Sequence, residues 1–328
     1  MKLCTFEIHT HLGRHRRLGA MVLEGAPAGG IVDLNFACAA RFAAQGEVQP
    51  RKLADIFLPC DMRAFLDAGP GAMKAARETI AFCEQGGIRS GPNGETLIYV
   101  PAEVTLLAPL PDPASVRDFY AFEAHVKKGF EKRGEPMPAE WYQIPVYYRS
   151  GHHNIIGTGH DVPWPSFTQK FDYELELAAV IGKKGANIPA AEARQYIAGF
   201  TVMNDFSARD IQRQEMKVRL GPAKGKEWCT ALGPYLVTPD EIGDPYSLTM
   251  TARINGELWS EGNSSAMYWK FEQMIEFLSK DDTIYPGDII GSGTVGTGCG
   301  LELDRWVQRG DEMELEIEKI GVLRNRVV

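Results

Sequence analysis

The chain has 328 residues, of which 44% are hydrophobic and 24% are charged, a globular composition that excludes disordered and collagen-like chains. Its 35 basic and 43 acidic residues give a formal net charge of −8, so we expect no nucleic-acid partner, because phosphate binding needs a cationic surface. Without an apolar run of roughly 20 residues or a signal-peptide pattern, the sequence predicts a cytoplasmic protein with no membrane partner.

The first hundred residues combine short strand-like runs with helical spacing. Strands are predicted at 2–8, 20–23 and 31–34, a turn at 25–30, and helices at 36–45, 62–68 and 71–85. His9, His11 and His15 lie among arginines that would repel a cation, so they indicate a polar hairpin rather than a metal site. The six cysteines nowhere approach C-x-x-C spacing, and we expect reduced thiols with neither a zinc site nor a redox pair.

Closely spaced prolines between 101 and 113 predict a boundary between a small N-terminal α+β domain, 1–105, and a larger domain, 106–328. In the second part strand-like runs recur while helices are few, which favours a mostly antiparallel or mixed sheet over a doubly wound one. Strands are predicted at 144–148, 173–181, 197–203, 231–237, 248–254, 289–293 and 313–320. Helices are predicted at 118–132, 190–195, 207–215 and 265–278. The predicted class is mixed α+β and rich in β-structure.

The segment 171–182 alternates acidic and apolar residues in the manner of a strand. Period-two alternation places Glu174 and Glu176 together, opposite Leu175 and Leu177. Such a face is ordinarily solvated. Because 177–181 is apolar on both faces, the second interpretation is a pair of carboxylates at the end of a buried strand, where a cation or a proton must offset their repulsion.

A second polar group follows the strand predicted at 197–203. Asp205 lies at a strand-to-helix corner, and the S-x-x-D spacing of Ser207 and Asp210 predicts a capping box. Arg209 and Gln212 share one face of the predicted helix. Two interpretations of that pair are open: a site that holds a ligand oxygen, or a surface polar pair.

Three further stretches contain reactive or glycine-rich positions. His125 follows R-D-F-Y-A-F-E-A, although a lone helical histidine is more typical of packing. Lys226 ends a Gly/Pro loop, and the dense glycines of 291–300 indicate close approach of the backbone to a ligand or another segment. No phosphate-binding or dinucleotide-binding glycine motif is present, so nucleotide binding has little support.

Together these stretches resemble the fumarylacetoacetate hydrolase family from about residue 107 to the end. The motifs are D-F-Y with a histidine seven residues after the aspartate, E-L-E in a strand, M-N-D-x-S-A-R-D-I-Q, a G-K lysine, Y-W before P-G-D, and G-S-G-T before L-E-L. The resemblance implies the family's C-terminal mixed β-sheet roll or barrel with a small N-terminal accessory domain.

The resemblance also implies a site for a divalent cation, Mg²⁺, Ca²⁺ or Mn²⁺, held by oxygen ligands. The implied metal ligands are Asp118, Glu174, Glu176 and Asp205. The implied catalytic residues are His125 as general base, Glu302 as its orienting partner, and Lys226, Arg209 and Gln212 around the reacting oxygens. The implied substrate-binding residues are Tyr120, Tyr148, Arg133 and Thr294.

The function that the resemblance implies is metal-dependent hydrolysis of a C–C bond in a 1,3-diketo acid of the fumarylacetoacetate or acylpyruvate type. His125 and Glu302 would activate the water. Decarboxylation of an oxo acid, or isomerisation or hydration of a 2-hydroxydienoate, is an alternative on the same fold. A non-catalytic metal-dependent binder of small molecules is an alternative of another class. Family members are usually homodimers, so we expect a homodimer.

Overall fold

The structure is a computed structural model that describes residues 1–22, 30–86 and 88–328. The predicted turn, apart from Gly30, and the last residue of the strand predicted at 20–23 lie outside these ranges. The first strands are β1 (Lys2–Thr10), β2 (Gly13–Val22), β3 (Gly30–Asp33), β4 (Ile98–Tyr99) and β5 (Thr105–Leu106). The helices beside them are α1 (Leu34–Ala44), α2 (Pro50–Phe57), α3 (Met62–Asp67) and α4 (Gly69–Gly86).

The rest of the chain is dominated by strands. They are β6 (Ser115–Phe119), β7 (Tyr147–Ser150), β8 (Ile155–Ile156), β9 (Asp161–Val162), β10 (Phe171–Asp172), β11 (Leu175–Ile181), β12 (Gly185–Ala186), β13 (Ile197–Asp205), β14 (Ser207–Ala208), β15 (Thr230–Val237), β16 (Thr249–Ile254), β17 (Glu257–Asn263), β18 (Thr283–Ile284), β19 (Asp288–Gly291), β20 (Glu312–Ile317) and β21 (Gly321–Val327). The helices are α5 (Glu123–Arg133), α6 (Arg209–Lys217), α7 (Pro239–Ile242), α8 (Phe271–Ser279) and α9 (Gly300–Leu303). Short 3₁₀ helices span Pro101–Glu103, Ala139–Tyr142, Ala190–Tyr196 and Ser264–Ala266.

A large sheet runs through the whole molecule in the order β4-β3-β2-β1-β15-β13-β11-β19-β6-β7. Its neighbours are antiparallel along this path except for β19 and β6, which are parallel. A second sheet has the order β17-β16-β20-β21-β9. The mixed, β-rich class predicted from the sequence is confirmed. No helix in the described ranges combines the length and the apolarity needed to cross a membrane.

The central strand β11 is buried on both faces, which explains its nearly continuous apolar sequence. Leu177 and Ala179 pack in a core shared with the second sheet. Ala178 and Val180 pack in another core, shared with the N-terminal helices. The molecule therefore has three layers: helices, the large sheet and the second sheet. These two cores hold β11 and its neighbours rigidly.

The N-terminal strands extend the large sheet, because β1 pairs with β15 in antiparallel register from Lys2 to Leu3. The core on that side includes Leu34 and Phe65 of the N-terminal helices together with Met203 of β13. The division into domains 1–105 and 106–328 stays a prediction.

Several sequence predictions were wrong at the ends of elements. Asp118 lies in β6, not in the helix predicted at 118–132, because β6 pairs with β7 and β19 and the helix begins only at Glu123. The apolar spacing of 119–126 by itself favours a helix there. The last strand, β21, was not predicted separately; it forms a hairpin with β20.

The predicted capping box is also wrong. The Ser207 hydroxyl donates to the backbone oxygen of Asp205, and helix α6 has no side-chain N-cap. The Asp210 carboxylate instead accepts from the Thr168 hydroxyl and from the backbone N–H of Gln169. The predicted polar hairpin agrees with the structure, since His9, His11 and His15 are exposed on β1, β2 and their turn.

A buried ion pair stabilises the N-terminal elements. Asp33 is fully buried, and its two carboxylate oxygens accept hydrogen bonds of 2.6 and 2.8 Å from the Arg17 guanidinium. The same carboxylate caps α1 by accepting from the Phe36 N–H at 3.0 Å. The Arg17 guanidinium also stacks 3.8 Å from the Phe36 ring centroid.

We predict that Asp33→Ala lowers the free energy of unfolding by about 3–5 kcal/mol, because it leaves the buried Arg17 charge without its partner. The matched control is Asp61→Ala. Asp61 caps α3 through the Ala64 N–H at 2.9 Å but is exposed, so about 1 kcal/mol is expected. Urea denaturation followed by circular dichroism measures both. Equal losses in the two variants would show that the ion pair contributes nothing beyond the cap.

Candidate active site

Four carboxylates converge where strands of the large sheet end. Asp118 lies near the end of β6, and Asp205 ends β13. Glu174 directly precedes β11, and Glu176 is its second residue. All four are buried, and one oxygen from each lies within 4.8 Å of the corresponding oxygens of the others. Because β13 runs antiparallel to β11, the end of the former meets the start of the latter. The structure thus brings together the four predicted metal ligands.

The cluster begins where the packing against the N-terminal helices stops. Side chains two residues apart in a strand share a face. Three of the four carboxylates therefore lie on the same strand face as an apolar residue of the core that the large sheet forms with the N-terminal helices. The pairs are Val116 with Asp118, Ala178 with Glu176, and Met203 with Asp205. Glycine provides the space beside them: a Cβ at Gly291 would approach the Glu176 Oε2 to 3.0 Å and crowd Asp118 more closely still. The Gly293 N–H donates to both Asp118 and Glu176, at 3.2 Å each.

Burial and mutual repulsion make these carboxylates difficult to ionise. Burial, followed by the charge of Asp205, raises the pKa of Asp118 to about 8. Burial also raises the pKa of Asp205 to about 6 although Lys226 opposes the shift, and burial and the Asp118 charge raise the pKa of Glu176 well above its usual value. Glu176 Oε1 and Asp205 Oδ1 are buried without a hydrogen-bond donor. Such an excess of acceptor oxygens fits a hard divalent cation.

Two basic side chains partly offset this negative charge. The ammonium of Lys226 contacts Glu174 and lies 2.5 Å from Asp205. Arg209 Nη2 lies 2.8 Å from Glu174, and its Nη1 donates to Gln212 at 3.1 Å. Burial opposes the ionisation of Glu174, but the two cations outweigh it and lower the pKa of Glu174. Four negative and two positive groups leave a formal charge of −2, which a divalent cation would cancel.

His125 lies beside this cluster and is held by Glu302. The His125 Nδ1 is 2.5 Å from Glu302 Oε1, and its Nε2 is 4.0 Å from Glu174 Oε1. Burial by itself would raise the pKa of Glu302, but the hydrogen bond to His125 outweighs this effect, and the pKa of Glu302 is lowered. An ionised Glu302 only accepts hydrogen bonds, so Nδ1 is the donor of this pair and Nε2 is directed towards Glu174. This is the arrangement of an oriented general base.

The remaining predicted residues lie at different depths. The ring of Tyr120 meets His125 edge-on at 5.3 Å, and the Tyr148 hydroxyl donates to Asp205. Thr294 is 1% exposed and its hydroxyl has no hydrogen-bond partner, so it is free to bind a ligand. Arg133 is the outlier: it is half exposed in the last turn of α5 and pairs with Glu135 at 3.4 Å.

Asp172 was missed by the sequence reasoning. It is fully buried, and its Oδ2 accepts from Arg209 Nε at 2.8 Å and from the Leu301 N–H at 3.0 Å. Its Oδ1 accepts from the Gly300 N–H at 2.8 Å. One carboxylate thus positions both Arg209 and the helical turn that carries Glu302. The signal was present, because the alternation that pairs Glu174 with Glu176 also includes Asp172.

Comparison with protein families agrees with this site. The profile described as Fumarylacetoacetate (FAA) hydrolase C-terminal matches residues 114–328. The chain belongs to the fumarylacetoacetate hydrolase family. The family predicted from the motifs is therefore confirmed, and with it an enzyme family whose members bind divalent cations.

The chain is similar in sequence to two proteins named oxaloacetate tautomerases, and similar in structure to a hydrolase of the family. The human protein "Oxaloacetate tautomerase FAHD2A, mitochondrial" is 33% identical over 337 residues, covering 100% of this chain and 92% of the relative. "Oxaloacetate tautomerase YisK" of Bacillus subtilis is 34% identical, covering 72% of this chain and 78% of the relative. The solved fumarylpyruvate hydrolase from Pseudomonas aeruginosa, in complex with Mn²⁺ and pyruvate, is 24% identical with a TM-score of 0.58, covering 67% of this chain and 91% of that chain. That last likeness supports the fold.

We predict that Mg²⁺ or Mn²⁺ raises the melting temperature more at pH 8 than at pH 6. The pKa values of Asp118 and Asp205 are higher in the folded chain than in an unfolded one, so the folded chain holds more protons and its metal-free stability falls as the pH rises. A cation replaces those protons and adds about 2.7 kcal/mol at 100 times its Kd. Thermal denaturation measures the shift. An equal shift at both pH values, or a full shift in Glu176→Gln, would contradict the prediction.

We predict that Asp172→Asn lowers kcat by about 10- to 100-fold, the usual cost of removing a group that orients a ligand or a base. The substitution keeps the shape but removes the charge that holds Arg209. The control is Asp210→Asn in α6, whose carboxylate binds Thr168 and Gln169 and not the Arg209 guanidinium, and it is expected to retain activity. A pH profile of kcat separates the two roles: lost positioning of Glu302 alters the profile, whereas a loss of stability alone does not.

Proposed function

We propose that this protein is a divalent-cation-dependent tautomerase of 2-oxo dicarboxylic acids of the oxaloacetate type. The observation that carries the proposal is the His125–Glu302 pair, whose Nε2 faces a buried cluster of four carboxylates across 4.0 Å. The relatives called oxaloacetate tautomerases add support, because one of them aligns along the whole chain.

The reaction needs proton transfer and little else. In the direction from enol to ketone, the O–H bond and the C2=C3 π bond of the enol break, the C2–O bond becomes a carbonyl, and a C3–H bond forms. No water, electron or net proton is consumed. The cation, bound by Asp118, Glu174, Glu176 and Asp205, would supply a positive charge that favours the ionised enol oxygen.

His125 is the group suited to move the proton. Its Nε2 lone pair accepts a proton from the substrate or, after protonation, delivers one to C3. Glu302 stabilises the imidazolium that exists between these steps and keeps the ring in its orientation. The edge-on contact with Tyr120 limits rotation of the ring. The imidazole can therefore serve as base and acid in one turnover.

The positive groups are placed to bind an anionic substrate. Arg209 and Lys226 lie beside Glu174 at the cluster, where they would offset the charge of a substrate carboxylate or enolate oxygen. Gln212, held by Arg209, and the unpaired hydroxyl of Thr294 add neutral hydrogen-bonding groups. The half-exposed Arg133 is paired with Glu135 and is a further cation for a second substrate carboxylate.

Hydrolysis of a C–C bond in a 1,3-diketo acid is the second candidate. The same His125–Glu302 pair favours it, since an imidazole oriented by a carboxylate can also deprotonate water for attack on a carbonyl. It differs from tautomerisation in its products, because one diketo acid yields two acids.

We predict that His125→Ala lowers the rate of enol–ketone exchange of oxaloacetate by about 10²- to 10⁴-fold, the usual contribution of a general base. Decay of the enol absorbance, with Mg²⁺ or Mn²⁺ present, measures the rate. His11→Ala, on the exposed hairpin, is the matched control and should retain the rate.

The same preparations decide between the candidates. Two acids formed from an acylpyruvate, without exchange of oxaloacetate, would replace the tautomerase by the hydrolase. Release of CO₂ as the main product of oxaloacetate would indicate a decarboxylase. Full exchange by His125→Ala would remove His125 from the mechanism.

A further inference from the structure

A second group of ligand atoms lies next to the carboxylate cluster. His125, Cys299 and Glu302 each offer one donor atom, and the three atoms lie within 4.8 Å of one another. Glu302 Oε1 is 2.5 Å from His125 Nδ1 and 3.6 Å from Cys299 Sγ. All three side chains are largely enclosed. The proposed reaction uses the histidine and the glutamate but has no role for the thiol.

We propose that His125, Cys299 and Glu302 form an inhibitory site for Zn²⁺, separate from the site of the catalytic cation. Nitrogen, sulfur and oxygen donors together are typical of zinc, and three protein ligands with an open fourth position are a common zinc arrangement. Mg²⁺, Ca²⁺ and Mn²⁺ prefer the all-oxygen cluster formed by the four carboxylates. The two adjacent sites therefore select different classes of ion.

The sulfur–oxygen distance fits a zinc site as it stands, and the nitrogen–oxygen distance fits after one small movement. With Zn–S at about 2.3 Å and Zn–O at about 2.0–2.2 Å, tetrahedral geometry separates sulfur and oxygen by roughly 3.6 Å. The distance from Cys299 Sγ to Glu302 Oε1 already has this value. The distance from His125 Nδ1 to Glu302 Oε1 must increase by roughly 0.9 Å, because the ion takes the place of the shared proton.

Hydrogen bonds fix the turn that carries two of the proposed zinc ligands, Cys299 and Glu302. Cys299 directly precedes α9, and Glu302 lies within that helix. The Thr297 N–H donates to Glu302 Oε2 at 2.9 Å, which leaves Oε1 for His125 and Cys299. The two backbone N–H groups of α9 that bind Asp172 fix the position of the turn. Little ordering is therefore needed when the ion binds.

Charge and protons balance in this site. A neutral imidazole, a carboxylate and a thiolate carry two negative charges, which cancel those of Zn²⁺, so no net charge is buried. Binding breaks the S–H bond of Cys299 and releases one proton to solvent. The proton on His125 Nδ1 moves to Nε2, because the zinc takes the Nδ1 lone pair.

The consequence for activity rests on the proposed function. With its proton on Nε2, His125 has no lone pair directed at the carboxylate cluster and cannot act as the base. Zinc would thus stop proton transfer while the catalytic cation stays bound. An excess of Mg²⁺ would not relieve the inhibition, since the two ions occupy different sites.

Metal binding at the proposed zinc site can be tested without measuring enzyme activity. Co²⁺, a spectroscopic probe for Zn²⁺, is added to protein saturated with Mg²⁺, and the near-ultraviolet thiolate-to-cobalt charge-transfer absorption is recorded. We expect the band in the wild-type chain and in Cys60→Ser, its loss in Cys299→Ser and in Glu302→Gln, and its removal by Zn²⁺. Absence of the band in the wild-type chain, or its persistence in Cys299→Ser, overturns the proposal. Melting temperatures with Mg²⁺ establish that each variant is folded.

Inhibition is tested on the same proteins, with each rate taken relative to that variant's own rate without zinc. We expect Cys299→Ser to raise the Zn²⁺ concentration for half-inhibition by at least about 10-fold, and Cys60→Ser to leave it unchanged. Inhibition that excess Mg²⁺ reverses, or that Cys299→Ser does not alter, overturns the proposal. If no oxo acid is turned over, the proposed function fails, and the cobalt spectrum alone decides whether the zinc site exists.

Discussion

The mutual repulsion of four buried carboxylates is the constraint on which the rest of the site depends. Asp118, Glu174, Glu176 and Asp205 are removed from water and lie too close together to be ionised at once without positive charge. Lys226 and Arg209 supply part of it, and a divalent cation would supply the rest. The buried residues around the cluster hold these charges in place.

Tightly packed strands hold the four carboxylates together against their mutual repulsion. Strands β11 and β13 are packed on both faces, so their ends cannot move apart to relieve the repulsion. Gly291 leaves room for carboxylates where any side chain would displace them. Asp172 extends the framework to the helical turn behind the base. The four carboxylates and the His125–Glu302 pair therefore belong to one preorganised unit.

Two neighbouring donor sets of different chemistry give this unit a second property. Oxygen ligands suit a hard ion, whereas the imidazole, thiol and carboxylate of His125, Cys299 and Glu302 suit zinc. Because His125 serves both the proposed base chemistry and the proposed zinc site, occupation of one role prevents the other. Zinc at the proposed second site would in this way stop the proposed proton transfer while the carboxylate cluster keeps its own cation.

The sequence by itself determined the family, through its set of motifs, and the β-rich class, because E-L-E alternation and the apolar run after it are local patterns that survive in a buried strand. It could not place Asp118 in a strand, since only pairing with β7 and β19 overrides the helical spacing around it. It also could not join Cys299 to His125, because spacing rules for metal ligands detect only ligands that are near in sequence. The tertiary structure decided these points, since distant strand ends and turns meet only when the sheets pack.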